Sequence, residues 1–317
     1  MPDALRDTPC PLCEMMVWHA HLRGVLDYIT GETFDLLRCG RCDLIVTHPM
    51  PDSLDRYYPA RYRTDRQKQT GGWRVRRRAA MLEKHFPRGF KGRLLDLGCG
   101  TGAFAMEMQQ RGWTVSVTEL NDAVLDQMRQ RGMEAKRPDQ ALTEGFGHPF
   151  DAITAWHVLE HVPGPLELAR WSRANLADNG IFQATVPNVA SWQARNFGRQ
   201  WLHLDVPRHL YHFTPETLGL LLDKSNLRTI AQDTVAIEYD LFGVIQSALN
   251  FVCSKPNVFF EHLTARDEKL SASSRDVKVS YALSPFLGAF GVAHCAIAGV
   301  CKKGGTLTVT CRNSQAR

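Results

Sequence analysis

Beyond residue 92, short apolar runs alternate with longer stretches in which apolar positions recur every third or fourth residue. The runs at 93–97, 113–119, 150–156, 180–187 and 227–235 read as strands, with a weak run at 133–137 and a last one, 304–312, far downstream. The periodic stretches at 103–112, 121–132, 166–177 and 213–226 read as helices. Asn121 and Thr214 stand where an N-cap belongs, while Pro163, Pro165 and Pro215 stand at helix openings. Seven strands joined mostly by helical crossovers predict an α/β protein with a doubly wound, mostly parallel, seven-stranded Rossmann-like sheet. A ligand of such a sheet sits at the carboxyl ends of the strands.

Three segments stand outside this alternation. In residues 1–50, Cys10 and Cys13 form one C-x2-C pair and Cys39 and Cys42 another, with a stretch of hairpin length between. No apolar leader precedes them, so the nine cysteines are expected in a reducing, cytoplasmic setting, where paired thiolates mean metal rather than disulfides. All four positions are filled, which predicts a small N-terminal zinc ribbon holding a closed, structural zinc, with Gly40 easing the second turn. Residues 51–92 read as a basic, partly helical linker broken by Pro51 and Pro59. Residues 56–93 carry thirteen Lys or Arg against Asp65 and Glu83, a net +11 that leaves −6 for the rest of a chain whose total is +5. Such a block suits a solvated helix face or an anionic partner. Tyr57, Tyr58 and Tyr62 either line a pocket or pack the linker on the next domain. Residues 238–303 form a helical insertion or lid before the last strand, leaving 93–237 and 304–317 as the core.

The stretch Arg-Leu-Leu-Asp-Leu-Gly-Cys-Gly-Thr-Gly-Ala-Phe, residues 93–104, holds the chemistry. Its glycines are spaced G-x-G-x-G rather than G-x-G-x-x-G, which disfavours a pyrophosphate cradle. Asp96 before the loop repels an anion and attracts an ammonium. Glu119, at the end of the second strand, suits the two hydroxyls of a ribose. A ribose joined to a cationic amino-acid tail satisfies both carboxylates, and S-adenosylmethionine is that ligand. Here the sequence resembles the class I methyltransferases: residues 94–102 stand as their first motif, Glu119 as their ribose acid and 150–162 as their fourth-strand motif. The resemblance implies that Gly98, Gly100 and Gly102 let the cofactor approach closely, that Asp96 favours its amino end and that Asp139 reaches its adenine. The whole arrangement further resembles zinc-ribbon methyltransferases related to ubiquinone-pathway O-methyltransferases and sugar C-methyltransferases.

Transfer to a hydroxyl or carbon acid needs a base, and histidine suits neutral pH. His157 follows the fourth strand, with Glu160 and His161 beside it. The loop at 199–213 gathers His203, Asp205, Arg208, His209, Tyr211 and His212 over the expected mouth of the site. His209, held after Pro207 and Arg208, is the first choice of base and His157 the second, with His203 and His212 as further candidates. A second reading makes Asp205, His209 and His212 ligands of a divalent ion. Residues 281–301 lack Asp, Glu, Lys and Arg, a length near that of a membrane span. A span would strand the last strand on the far side, so a lid is expected, with shallow membrane contact as the alternative. The expected function is methyl transfer to a small-molecule, sugar or lipid-linked acceptor, at oxygen or carbon. An RNA methyltransferase is disfavoured because the fourth strand ends Ala-Trp-His-Val-Leu-Glu-His, without the N/D-P-P-Y motif, so nucleic acid is an unlikely partner. A non-catalytic cofactor-binding protein is disfavoured by the clustered histidines.

Overall fold

The computed structural model describes residues 8–58, 72–264 and 273–313; Pro59 and Tyr62 lie outside the described residues. Its seven-stranded sheet holds β4 (Arg93–Leu97), β5 (Thr114–Thr118), β6 (Glu134–Lys136), β7 (Phe150–Trp156), β8 (Leu176–Pro187), β10 (Leu227–Asp233) and β11 (Thr306–Asn313). Their order is β10-β11-β8-β7-β4-β5-β6. The strands from β8 to β6 run parallel, and β11 pairs antiparallel with both β8 and β10. The sheet is therefore mostly parallel, and its strand order reverses beside β4.

Alternate residues of the central strands pack into two different cores, which is why these strands read as continuous apolar runs. Leu94, Ala152 and Ile181 join one core with α1 (Trp73–Glu83), α2 (Ala103–Gln110) and α3 (Asp122–Gln130). Leu95, Ile153 and Phe182 join the other, with α4 (Pro138–Glu144), α5 (Pro165–Asn175) and α7 (Pro215–Lys224). The helix of the basic linker is thus part of the core: Val75, Ala79 and Leu82 are its buried stripe. Asn121 caps α3 by accepting from the Ala123 amide, and Thr214 caps α7 by accepting from the Thr217 amide.

The N-terminal unit is a second sheet, β1 (Trp18–Leu26), β2 (Thr33–Cys39) and β3 (Ile45–His48), completed by β9 (Tyr211–His212) from the core. Its Cys10, Leu12, Trp18 and Leu37 belong to the same apolar cluster as Leu95 and Leu97. In the insertion, α8 (Ile237–Leu249), α9 (Val258–Thr264) and α10 (Ser274–Val300) precede β11. The remaining short helix, α6 (Trp192–Phe197), follows β8.

Candidate active site

The loop after β4 lies at the carboxyl ends of the parallel strands, next to the point where strand order reverses. Gly98, Gly100 and Gly102 all take positive φ, at 59°, 59° and 74°, so none is easily replaced. Their surroundings differ. A side chain at Gly98 would meet Val158 at 2.9 Å and one at Gly102 would meet Met128 at 2.6 Å, whereas one at Gly100 would meet nothing within 4 Å. The outer glycines serve packing as well as backbone shape, and Gly100 alone borders open space.

Asp96 is buried at the strand end and accepts a hydrogen bond of 2.7 Å from the Thr154 hydroxyl. Burial raises its pKa to about 7 against the lowering effects of Thr154 and Arg78. Glu119 is fixed by three backbone donors, Gly100 at 2.9 Å, Leu120 at 2.7 Å and Asn121 at 3.2 Å. These carboxylates and the bare backbone at Gly100 fit an ammonium and a ribose diol. Asp139 is 77% exposed at the first turn of α4 and 3.8 Å from Arg137. Arg78 is the residue the sequence reading missed: its guanidinium sits 4.9 Å from the Trp156 ring centroid and 5.4 Å from that of Tyr239, and it bonds the Tyr239 hydroxyl. No motif marks it within the arginine-rich segment. Only the helical stripe of Val75, Ala79 and Leu82 would have shown that it points inward.

His157 directly follows β7 with φ at 57°, an uncommon backbone for a residue with a side chain. Its Nδ1 lies 3.1 Å from Glu160 Oε1, and its ring centroid lies 4.6 Å from that of Tyr239. A carboxylate only accepts, so Nδ1 carries the proton and Nε2 keeps its lone pair. His161 and His209 are set the same way: Nδ1 of His161 faces the Arg208 carbonyl at 2.9 Å, and Nδ1 of His209 faces the His203 carbonyl at 2.9 Å. The ligand atoms of Glu160, His161 and His209 lie within 4.8 Å of one another. Burial, with His161 next, holds His209 well below the ordinary imidazole range. Burial and His157 lower His203 to about 4, and among the described residues nothing pairs its Nε2.

His212 is not brought to this cluster's donor set. It lies on β9, its Nε2 3.0 Å from the Thr47 hydroxyl, and burial followed by the His21 charge lowers it to about 3. Much of the 199–213 loop holds the N-terminal sheet. The Arg208 side chain is fully buried, 2.9 Å from Asp27 Oδ1 and 2.9 Å from Asp205 Oδ1, and it donates to the Tyr57 carbonyl at 3.2 Å. Burial alone would raise Asp205, but the Arg208 charge holds it well below the usual carboxylate range. Tyr57 is buried, and the Tyr58 hydroxyl lies 3.1 Å from His161 Nδ1.

At the other end of that sheet the four sulfurs of Cys10, Cys13, Cys39 and Cys42 lie within 4.8 Å of one another. The Cys10–Cys42 and Cys13–Cys39 sulfurs are 3.5 and 3.4 Å apart. Metal–sulfur bonds of about 2.3 Å in a tetrahedron separate the sulfurs by about 3.8 Å, so the set is close to that geometry. Gly40 is not left-handed; the residues that are follow the second cysteine of each pair, Glu14 at φ 63° and Asp43 at φ 65°.

A doubly wound sheet with a glycine loop, two carboxylates and a histidine at its switch point defines an S-adenosylmethionine-dependent methyltransferase. The methyltransferase domain family matches residues 62–232, more than half of the chain, and the chain belongs to that family. It is similar to a ubiquinone biosynthesis O-methyltransferase of Idiomarina loihiensis, 28% identical over 202 residues, which are 59% of this chain and 79% of the relative. A protein of the same name from Paracidovorax citrulli is 35% identical over 131 residues, 38% of this chain and 55% of that one. Among solved structures, the 1,6-didemethyltoxoflavin-N1-methyltransferase of Burkholderia thailandensis aligns over 87% of this chain and 98% of its own, with a TM-score of 0.46 and 16% identity.

Proposed function

We propose that the chain methylates a hydroxyl of a small-molecule acceptor and that His157 is the base. The observation that carries this reading is the His157–Glu160 contact at the end of β7, the strand adjoining β4. A carboxylate that fixes Nδ1 leaves Nε2 to take the acceptor's proton, and Glu160 steadies the imidazolium that results. Oxygen as the methylated atom is supported by the names of the curated relatives. S-adenosylmethionine, when bound, supplies a methyl group on a sulfonium sulfur. Around it Asp96 accepts the ammonium, Glu119 accepts the ribose hydroxyls and Gly100 lies against its backbone-facing side. Arg78, stacked between Trp156 and Tyr239, pairs with its carboxylate. Asp139 remains the candidate for the adenine amino group. His203, near Tyr239 and Gly243 of α8, orients the acceptor under the insertion, while His209 and His212 act through the loop they hold. The four cysteines bind one structural zinc.

His157→Asn keeps a residue that tolerates the left-handed backbone and removes the base. With any phenol that supports turnover, kcat should fall by about 10²–10⁴-fold while calorimetric affinity for S-adenosylhomocysteine stays nearly unchanged. Full turnover in that variant would move the base elsewhere.

A further inference from the structure

The outer side of α10 is a surface that the active site does not use. A surface helix normally turns charged residues away from the protein. α10 buries Asp276, Ser280, Gly291, Cys295 and Ala298 against its neighbours, yet its opposite side carries no charge from Tyr281 to Cys301. Phe286 is 76% exposed, Phe290 57%, Ile297 56% and Val300 87%. The 27-residue helix is long and apolar enough to cross a membrane, and its most apolar window is 17% buried.

Its setting rules out a crossing. Gly291 lies so close to α8 that a side chain there would meet Leu241 at 2.7 Å. Directly after the helix, the Lys303 carbonyl accepts from the Trp192 amide, and β11 enters the sheet between β8 and β10. α10 is therefore tied to protein at its start through Ser254, at Gly291 through Leu241 and near its end at Gly299 through Val235. What remains is a helix of about 40 Å lying flat, with its free side apolar. Among the described residues, the exposed charges on the helix and directly past its end have one sign. Arg275 and Lys278 are exposed at its start, and Lys302 and Lys303 just past its end. Its one acid, Asp276, is buried; its carboxylate accepts from the Ser254 amide and hydroxyl, and its amide donates to the capping Ser273 hydroxyl.

We infer that α10 seats the enzyme on an anionic lipid bilayer, with Phe286, Phe290, Ile297 and Val300 entering the acyl boundary and the four cations meeting headgroups. An apolar stripe bracketed by cations matches the chemistry of an in-plane helix on acidic lipid. A protein partner would place a mixed rim of charges there instead. The seat is one helix from the site: Tyr239 of α8 touches His157 and Arg78, while Leu241 and Val244 of α8 meet α10 near Gly291. This inference stands independently of the acceptor's identity.

The full-length protein should co-sediment with vesicles of phosphatidylcholine and phosphatidylglycerol, and weakly or not at all with phosphatidylcholine alone. Phe286→Asp with Phe290→Asp should weaken binding to the mixed vesicles by more than about tenfold. Lys302→Gln with Lys303→Gln, which leaves the helix itself intact, should weaken it by about thirtyfold. Both variants should keep S-adenosylhomocysteine affinity, which separates lost docking from lost folding. Equal binding to neutral vesicles would overturn the proposal. So would a protein that ignores vesicles and sediments as a dimer that Phe286→Asp dissociates, because the face would then belong to a second copy. Carbonate-resistant insertion would overturn the flat seat.

Discussion

Asp96, proposed to accept the cofactor's ammonium, ties the affinity of the site to pH. Its carboxyl is buried at the end of β4 and holds its proton to about pH 7. In the unfolded chain the same group loses its proton near pH 4. Stability from this group is therefore greatest below about pH 4 and falls as pH rises toward 7, where a charge must be buried. An ammonium placed beside it favours the ionised form, so binding releases a proton below pH 7. Calorimetry with S-adenosylhomocysteine should show affinity rising up to about tenfold per pH unit toward pH 7 and levelling above it. Asp96→Asn should bind more weakly and lose that slope; a wild-type profile that is flat from pH 5 to 8 would remove the ammonium role. Asp96 and Glu119 were legible in the sequence because they close apolar strand runs beside a glycine loop. The backbone freedom of the cysteine turns lies elsewhere than at Gly40. Gly40 has room for little more than hydrogen, with His19 Nε2 3.0 Å from where a Cβ would stand, while Glu14 and Asp43 carry the positive φ.

Among the elements, those of the central sheet were legible and those of the seam were not. Strands buried on both faces read as unbroken apolar runs, and capped amphipathic helices announce their own starts. α1 was legible as the helical part of the basic linker, but its place in the core was hidden by its arginines, which mask three buried positions in eleven residues. β9 is two residues long and pairs with β3 across more than 160 positions of sequence, so no local pattern marks it. The polar loop around it was read as catalytic because its histidines and Asp205 look alike whether they face a substrate or a neighbouring sheet. The structure places Arg208 between Asp27 of the β1–β2 turn and Asp205, all three buried or nearly so. Removing the cation leaves two enclosed carboxylates without it, which is far more destabilising than removing the whole set. Arg208→Met should lower unfolding stability by about 3–5 kcal/mol in denaturant titration. A loss under about 1 kcal/mol would mean that the seam is held by its apolar contacts alone.

Over the whole molecule the four-cysteine cluster and the proposed base are tied through one sheet. The N-terminal strands take β9 as their edge, the Thr47 hydroxyl donates to the His209 carbonyl at 2.6 Å, and the amides of Leu210 and Tyr211 donate to the Glu160 carbonyl at 2.7 and 3.2 Å. Glu160 in turn holds His157. The proposed cofactor residues stand on a different part of the frame: Asp96 lies near the end of β4 and accepts from the Thr154 hydroxyl of β7, Gly100 follows β4, and Glu119 follows β5 and accepts from the Gly100 and Leu120 amides. Loosening the N-terminal sheet should therefore disturb the base before the cofactor cradle. Cys39→Ser with Cys42→Ser removes two of four thiolates and should abolish zinc binding, measured as metal per chain. The expected result is a lower melting temperature and a turnover reduced by about tenfold to a hundredfold, the range seen when groups that orient a reacting side chain are lost. Affinity for S-adenosylhomocysteine should change by less than about threefold, since Asp96, Gly100 and Glu119 take no support from the seam. Cofactor affinity that collapses together with turnover would show that the two halves unfold as one. Undiminished turnover in the zinc-free protein would show that β9 holds the loop without help from the metal.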